Sequence, residues 1–162
     1  MVEAGCQSLR LCWKKFRVAR GLLQQMAELG MLTCDQSKVR VLVVDDHELT
    51  RFSLSLALRS QRDIELVGLA SNGMEAIALA KQHHPDVIIL DLQMPVLDGL
   101  TASTQIKTTH PEIQILAYSS LDDPQTEVMV QTANVDAFCT KDTATHDLIS
   151  LVRQLSHQAP NI

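Results

Sequence analysis

The sequence predicts a doubly wound α/β fold. Five parallel strands would form one sheet with helices on both faces, a (βα)5 three-layer sandwich. Two observations carry this expectation. Five short apolar runs, at 39–44, 64–70, 86–90, 113–118 and 135–139, alternate with five amphipathic stretches, at 48–60, 73–83, 99–109, 122–133 and 143–156. The links between them are short, and parallel strands with right-handed crossover helices are the economical way to join such units.

Each element has a local reason. The run Val39 to Val44, interrupted only by Arg40, ends in Asp45-Asp46. In the stretch that follows, helical spacing puts Leu49, Phe52, Leu56 and Leu58 on the inward face and Arg51, Ser55 and Arg59 outside it. Asn72-Gly73 reads as a turn before the second helix. The third run, Val87-Ile88-Ile89-Leu90, is uninterrupted, as a strand covered on both faces should be. It ends at Asp91, with Met94-Pro95 and Asp98-Gly99 beyond. The fourth run, Ile113 to Tyr118, ends in Ser119-Ser120. Asp122 or Asp123 can cap the fourth helix, with Pro124 at an early position, and Asp142 or Thr143 can cap the fifth.

Residues 1–37 belong to no such unit and form an N-terminal extension; a short tail, 157–162, follows the domain of residues 38–156. Leu9, Trp13, Phe16, Leu23 and Met26 recur at helical spacing with Arg10, Lys14 and Arg17 between them, which predicts a basic amphipathic helix over 8–29. Three roles stay open for it: attachment to an acidic membrane surface or a partner helix, loose packing or disorder, or an overlong start upstream of Met31.

Apolar residues make up 46% of the chain and charged residues 20%, as in soluble globular proteins. The four cysteines form no CxxC pair and no secretory segment precedes them, so a reducing cytoplasm is expected rather than a disulfide framework or zinc site. No apolar stretch approaches the roughly 20 residues of a membrane span, and membrane association is not expected. Net charge is −5. Residues 38–162 hold nine basic and sixteen acidic side chains, leaving the main domain at −7 and residues 1–37 at +2. An acidic domain, in a chain with only five aromatics, is poorly suited to binding nucleic acid.

Open α/β sheets hold ligands at the carboxyl ends of their strands. Asp45-Asp46, Asp91, Ser119 and Lys141 all fall at such ends, in strands that are neighbours in a flavodoxin-like order. Crowded carboxylates repel unless a cation lies among them, and an all-oxygen set suits Mg2+ shared with a phosphate. A carboxylate so placed can act as a nucleophile toward a phosphoryl donor. Lys141 can neutralise phosphoryl oxygens and Ser119 can donate to them. Taken singly, the acid pair reads as a solvated turn, Ser119 as a loop residue and Lys141 as a surface charge; together they make a site. His83-His84 could be metal ligands but read as a surface helix end, since adjacent histidines on a helix point apart and Pro85 follows; His47 could modulate the acid pair but reads as a polar residue at a helix start. No GxGxxG, P-loop or DxDx[TV] motif occurs.

These segments resemble the CheY-like receiver domain of bacterial response regulators. The likeness lies in Val41-Leu42-Val43-Val44-Asp45-Asp46-His47, in Pro85 to Gly99, in Leu116-Ala117-Tyr118-Ser119 and in Ala137-Phe138-Cys139-Thr140-Lys141-Asp142. It covers about residues 38–156 and is closest in wording to the NarL/FixJ class. The resemblance implies that Asp91 is the phosphoacceptor and that Asp45, Asp46, Asp91 and the Gln93 backbone carbonyl hold Mg2+. It further implies Ser119 as switch hydroxyl, Phe138 as switch aromatic and Lys141 as phosphate partner, with Gln93 and Leu121 flanking the hydrolytic water. Two departures stand out: Asp142 occupies the position of a common cis proline, so a trans bond is expected, and Phe138 replaces a common tyrosine.

The implied function is phosphorelay signalling. A sensor histidine kinase or phosphotransfer protein would supply the phosphoryl group, and the domain would be a switch rather than a metabolic enzyme, catalysing only its own phosphorylation and slow dephosphorylation. The helix-turn-helix output domain of the NarL/FixJ class does not appear, so the expectation is a stand-alone receiver without direct DNA binding. It would signal as a homodimer or through a separate output protein. A phosphorylation-independent adaptor and a truncated transcription regulator are the alternatives.

Overall fold

The computed structural model describes residues 37–120 and 134–158. Within them lie strands β1 (Val39–Val44), β2 (Ile64–Ala70), β3 (Val87–Leu90), β4 (Gln114–Ser119) and β5 (Ala137–Thr140). The helices are α1 (Glu48–Arg59), α2 (Gly73–His83), α3 (Gly99–Thr109) and α4 (Thr145–Gln158). The strands make one sheet in the order β2-β1-β3-β4-β5, every pairing parallel. This is the five-stranded flavodoxin-like sheet the sequence predicts. The amphipathic helices expected over 8–29 and 122–133 lie outside the described residues.

Alternation along the strands splits the core in two. Val41 and Val43 of β1, Val87 and Ile89 of β3, and Leu116 and Tyr118 of β4 pack against Leu54 and Leu58 of α1 and Leu148, Val152 and Leu155 of α4. Leu42 and Val44, Ile88 and Leu90, and Ile115 point the other way, onto Ala76 and Ala80 of α2 and Ile106 of α3. A strand side chain changes face at every residue, so both faces of β1 and β3 must be apolar where they are covered, which is why residues 41–44 and 87–90 are unbroken apolar runs. Leu58 is fully buried, and truncating it to alanine should cost about 2–5 kcal/mol.

The helix ends are fixed by side chains. The Asn72 side chain accepts from the Glu75 amide at 3.0 Å, while Glu75 reaches back to accept from the Ser71 amide at 2.8 Å. The pair is a reciprocal cap rather than a bare turn. The Ser71 amide and hydroxyl hold the Glu75 carboxyl below its ordinary pKa. Asp98 caps α3 by accepting from the Thr101 amide at 2.7 Å.

Two local expectations need correction. In α1 the buried residues are Leu54, Ser55 and Leu58, whereas Leu49 (83% exposed), Phe52 and Leu56 face outward. The stretch holds two apolar stripes, and helical spacing alone cannot say which one meets the sheet. Ser55 tolerates burial because its hydroxyl donates to the Phe52 carbonyl at 2.7 Å. At α4, the Ala144 carbonyl accepts from the Leu148 amide at 3.1 Å, so the helix begins beyond both Asp142 and Thr143. The Thr143 hydroxyl instead pairs with that of Thr140 at 3.1 Å.

Candidate functional site

Strand order creates the site. Between β1 and β3 the winding reverses direction, and ligands of open α/β sheets bind at that crevice. Val44 pairs with Leu90 in register, so the next residues, Asp45 and Asp91, emerge side by side. Both are buried. Asp45 Oδ1 accepts from the His47 amide at 2.8 Å and Asp91 Oδ1 from the Gln93 amide at 3.0 Å. Each carboxylate is thereby oriented by the turn that follows it.

Lys141, delivered from beyond β5, bridges the two acids. Its Nζ lies 2.7 Å from Asp91 Oδ2 and 2.8 Å from Asp45 Oδ2. The backbone around it is held as well: the Lys141 amide donates to the Ser119 carbonyl at 3.1 Å, and the Tyr118 hydroxyl donates to the Lys141 carbonyl at 3.3 Å. The Lys141–Asp142 bond is trans. Burial disfavours the ammonium charge, but hydrogen bonds to Asp45 and Asp91 outweigh it and hold the Lys141 pKa above its ordinary value. For Asp91 the balance falls the other way. Burial raises its carboxyl pKa, and the opposing pull of Lys141 and the Gln93 amide does not restore it.

Asp46 sits half-buried beside the pair, with His47 Nδ1 3.0 Å from its Oδ1. Ligand atoms of Asp45, Asp46, His47 and Asp91 all lie within 4.8 Å of one another. Trans oxygens around Mg2+ are about 4.2 Å apart, so a small contraction would let one ion reach all three carboxylates, and the donor set fits. Ser119, at the end of β4, is buried, and its Oγ has no hydrogen-bond partner among the described residues. Phe138 is half-buried and lies opposite Ala117 across the β4–β5 ladder. Gln93 is exposed at the mouth of the site. Leu121 lies outside the described residues.

The strand-end residues singled out in the sequence therefore meet at one edge of the sheet: Asp45, Asp46, Asp91 and Lys141 through their side chains, and Ser119 through its place at the end of β4, its carbonyl accepting from the Lys141 amide. Sequence reasoning missed three supporting residues, Arg51, Tyr118 and Gly99, and set a fourth, His47, aside as a helix start. The His47 ring leans on Asp46 rather than merely starting α1. Arg51, half-buried instead of fully outward, donates from Nη1 to the Asp45 carbonyl at 2.6 Å. Tyr118 anchors Lys141. Gly99 lets α3 approach the end of β3, its amide donating to the Leu92 carbonyl at 3.1 Å. Of the three missed, only Gly99 carried a signal, in the Asp98-Gly99 pair; His47 carried one in its place directly after the acid pair.

The sequence pattern of the response regulator receiver domain matches residues 41–153. The chain belongs to that family, which places it in two-component phosphorelay signalling. It is 41% identical over 118 residues to the response regulator protein VraR of Staphylococcus aureus, a match covering 73% of this chain and 56% of the relative. The chain thus spans about half the length of the curated relatives it matches. Its fold is similar to the response regulator domain of Thermotoga maritima CheB, with TM-score 0.67 and 31% identity over 76% of this chain and 99% of that one. The signal receiver domain of NarL from Mycobacterium tuberculosis is similar to the same degree, with TM-score 0.68 and 31% identity over 75% and 98% of the two chains. No helix among the described residues is long and apolar enough to cross a membrane.

Proposed function

We propose that Asp91 is the phosphoacceptor of a receiver spanning residues 38–156, and that a sensor histidine kinase or phosphotransfer protein is the donor. The observation that carries the reading is the Lys141 ammonium bridging two buried carboxylates at the switch point of the sheet. A carboxylate oxygen of Asp91 attacks phosphorus, the bond from phosphorus to the donor's imidazole nitrogen breaks, and the electron pair leaves with the nitrogen. The product is an acyl phosphate.

Asp45, Asp46, Asp91 and the Gln93 carbonyl would hold Mg2+, which supplies charge neutralisation to the transferring group. Lys141 neutralises a phosphoryl oxygen at the position it now shares between Asp91 and Asp45. Ser119 donates its free hydroxyl to another, and that inward turn opens space for Phe138. Two populated arrangements of one domain are sufficient for signalling. Gln93 and Leu121 would flank the hydrolytic water, where leucine offers no hydrogen bond and favours a long-lived phosphoryl group.

The test is phosphorylation by acetyl phosphate with Mg2+, read as a mobility shift on a phosphate-affinity gel. Wild type should shift and Asp91→Asn should not. Labelling of Asp91→Asn at the wild-type level overturns the assignment. Asp46→Asn should label only at raised Mg2+, having lost a ligand oxygen.

For output, the −7 charge of residues 38–162 favours protein contacts, through a homodimer or a separate output protein, over direct contact with DNA. The intact acid set with Lys141 and Ser119 argues against a phosphorylation-independent adaptor. A gel-shift titration at physiological salt, with and without phosphorylation, discriminates: tight sequence-selective binding by the 162-residue chain would overturn the protein-contact reading and leave Asp91 untouched.

A further inference from the structure

At the opposite edge of the sheet, three side chains with metal-binding chemistry meet. His84 closes α2, and His110 and Glu112 lie between α3 and β4. The two imidazoles stand edge to face with centroids 5.3 Å apart. His110 Nδ1 is 3.4 Å from Glu112 Oε1, and one ligand atom from each of the three residues lies within 4.8 Å of the others. His83 takes no part; the partner of His84 comes from the next crossover.

We propose that His84, His110 and Glu112 form a site for a divalent transition-metal ion of the zinc class. Two imidazoles and a carboxylate are borderline donors suited to zinc, which accepts three protein ligands and leaves the fourth position to water. At metal–ligand distances of about 2.0–2.2 Å, ligand atoms at two corners of a tetrahedron are roughly 3.4 Å apart. The His110–Glu112 pair already has that separation. The His84 ligand atom, within 4.8 Å of the others, has to close in by at most about 1.4 Å to match it, and its side chain is exposed.

The backbone under all three ligands is fixed. The His84 carbonyl accepts from Arg40 Nη1 at 3.3 Å, the His110 carbonyl from the Ile113 amide at 3.2 Å, and the Glu112 carbonyl from the Gln114 side chain at 3.3 Å. Pro85 follows His84 and Pro111 separates the other two, so neither loop has much freedom to lose when an ion binds. Val87 pairs with Gln114 in the ladder, which sets the two loops side by side. A bound ion ties the α2–β3 loop to the α3–β4 loop. The site lies beyond the amino end of β3, whose length alone puts about 13 Å between Val87 and Asp91 at 3.3 Å per residue, and it shares no ligand with the carboxylate pocket.

The test is a nitrogen-15 amide spectrum of the full chain with saturating Mg2+, to which substoichiometric Cu2+ and, separately, Zn2+ are added. Cu2+ is the paramagnetic probe because it takes the same donors at least as firmly as zinc. The amides of residues 84, 110 and 112 should broaden first with Cu2+ and shift with Zn2+. His84→Gly suits the left-handed backbone at that residue (φ 43°), so it removes the ligand without straining the fold. His84→Gly and Glu112→Gln should each weaken Zn2+ binding at least tenfold, while acetyl phosphate labelling stays at wild type. Broadening centred on residues 45–47 and 91, or on the cysteines of residues 1–36, overturns the proposal. So does a Zn2+ response that persists in a His84→Gly/His110→Gln double variant.

Discussion

Replacing Gly99 by alanine tests how the site is built. A Cβ there would fall against the Asp91 carbonyl oxygen and 2.7 Å from Leu92 Cα. Both neighbours are backbone, so no rotamer change can relieve the clash, and the start of α3 must move away from the end of β3. On an open helix surface the same change would gain up to about 1 kcal/mol. Overpacking costs about 1–3 kcal/mol and sometimes more. The backbone contacts place Gly99→Ala toward the upper end, a net loss of about 2–3 kcal/mol. For a domain of this size that lowers the melting temperature by roughly 6–15 °C, read by circular dichroism. Because the displaced atoms belong to Asp91 and Leu92, the affinity for beryllium trifluoride with Mg2+ should also fall. Gly68→Ala is the control: its Cβ would meet the ends of the Leu42 and Leu79 side chains, at 3.1 and 3.4 Å, and the His83 ring at 4.0 Å. Those ends can yield, and its cost should stay below about 1 kcal/mol. If Gly99→Ala melts with Gly68→Ala, the close approach does not hold the site and the reasoning fails.

Three further outcomes follow from the same geometry. Burial raises the Asp91 carboxyl pKa, so the folded state holds that proton more tightly than the unfolded chain. Its contribution to stability is therefore greatest in acid and declines as pH rises from the unfolded value of about 3.9 through the raised folded one. Asp91→Asn should accordingly melt higher than wild type at neutral pH without Mg2+; a lower melting temperature would falsify the burial argument. Ser119→Ala removes a buried hydroxyl without a partner among the described residues. It should leave stability unchanged or raise it by up to about 1 kcal/mol, yet abolish the chemical-shift response of residues 137–141 to beryllium trifluoride; a preserved response would remove Ser119 from the switch. Arg153 grips Asp63 at 2.6 and 2.9 Å and holds its carboxyl below the ordinary range. This stability is present above the unfolded carboxyl pKa and lost as pH falls through the folded one. Arg153→Ala should therefore cost about 0.2–1 kcal/mol at neutral pH and nothing in strong acid or high salt, which urea titrations at two pH values can check.

Much of the architecture was legible before any coordinate. Strands β1 and β2 and helices α2 and α3 begin and end where the apolar runs and turn residues put them, because apolar runs between polar turn signals are stable only where a sheet or helix face buries them. The acids, hydroxyl and ammonium at successive strand ends were legible as one site for the same reason. Helix α1 was not. Its two apolar stripes satisfy helical spacing equally, and the choice between Leu49-Phe52-Leu56 and Leu54-Leu58 is made by the sheet surface it meets.

The sequence by itself determined the alternation of strands and helices, the acidic charge of the domain and the residues that reach the carboxyl edge of the sheet. These depend on period, polarity and composition, which are local properties of a chain. Tertiary structure alone decided that Lys141 bridges Asp45 and Asp91, that Tyr118 and Arg51 brace the loops beneath them, and that Gly99 must lack a side chain. It also decided that His84 faces His110 and Glu112 rather than its neighbour His83. Those contacts join residues far apart in the chain, and their distances are set by strand register and helix packing, which no single segment encodes.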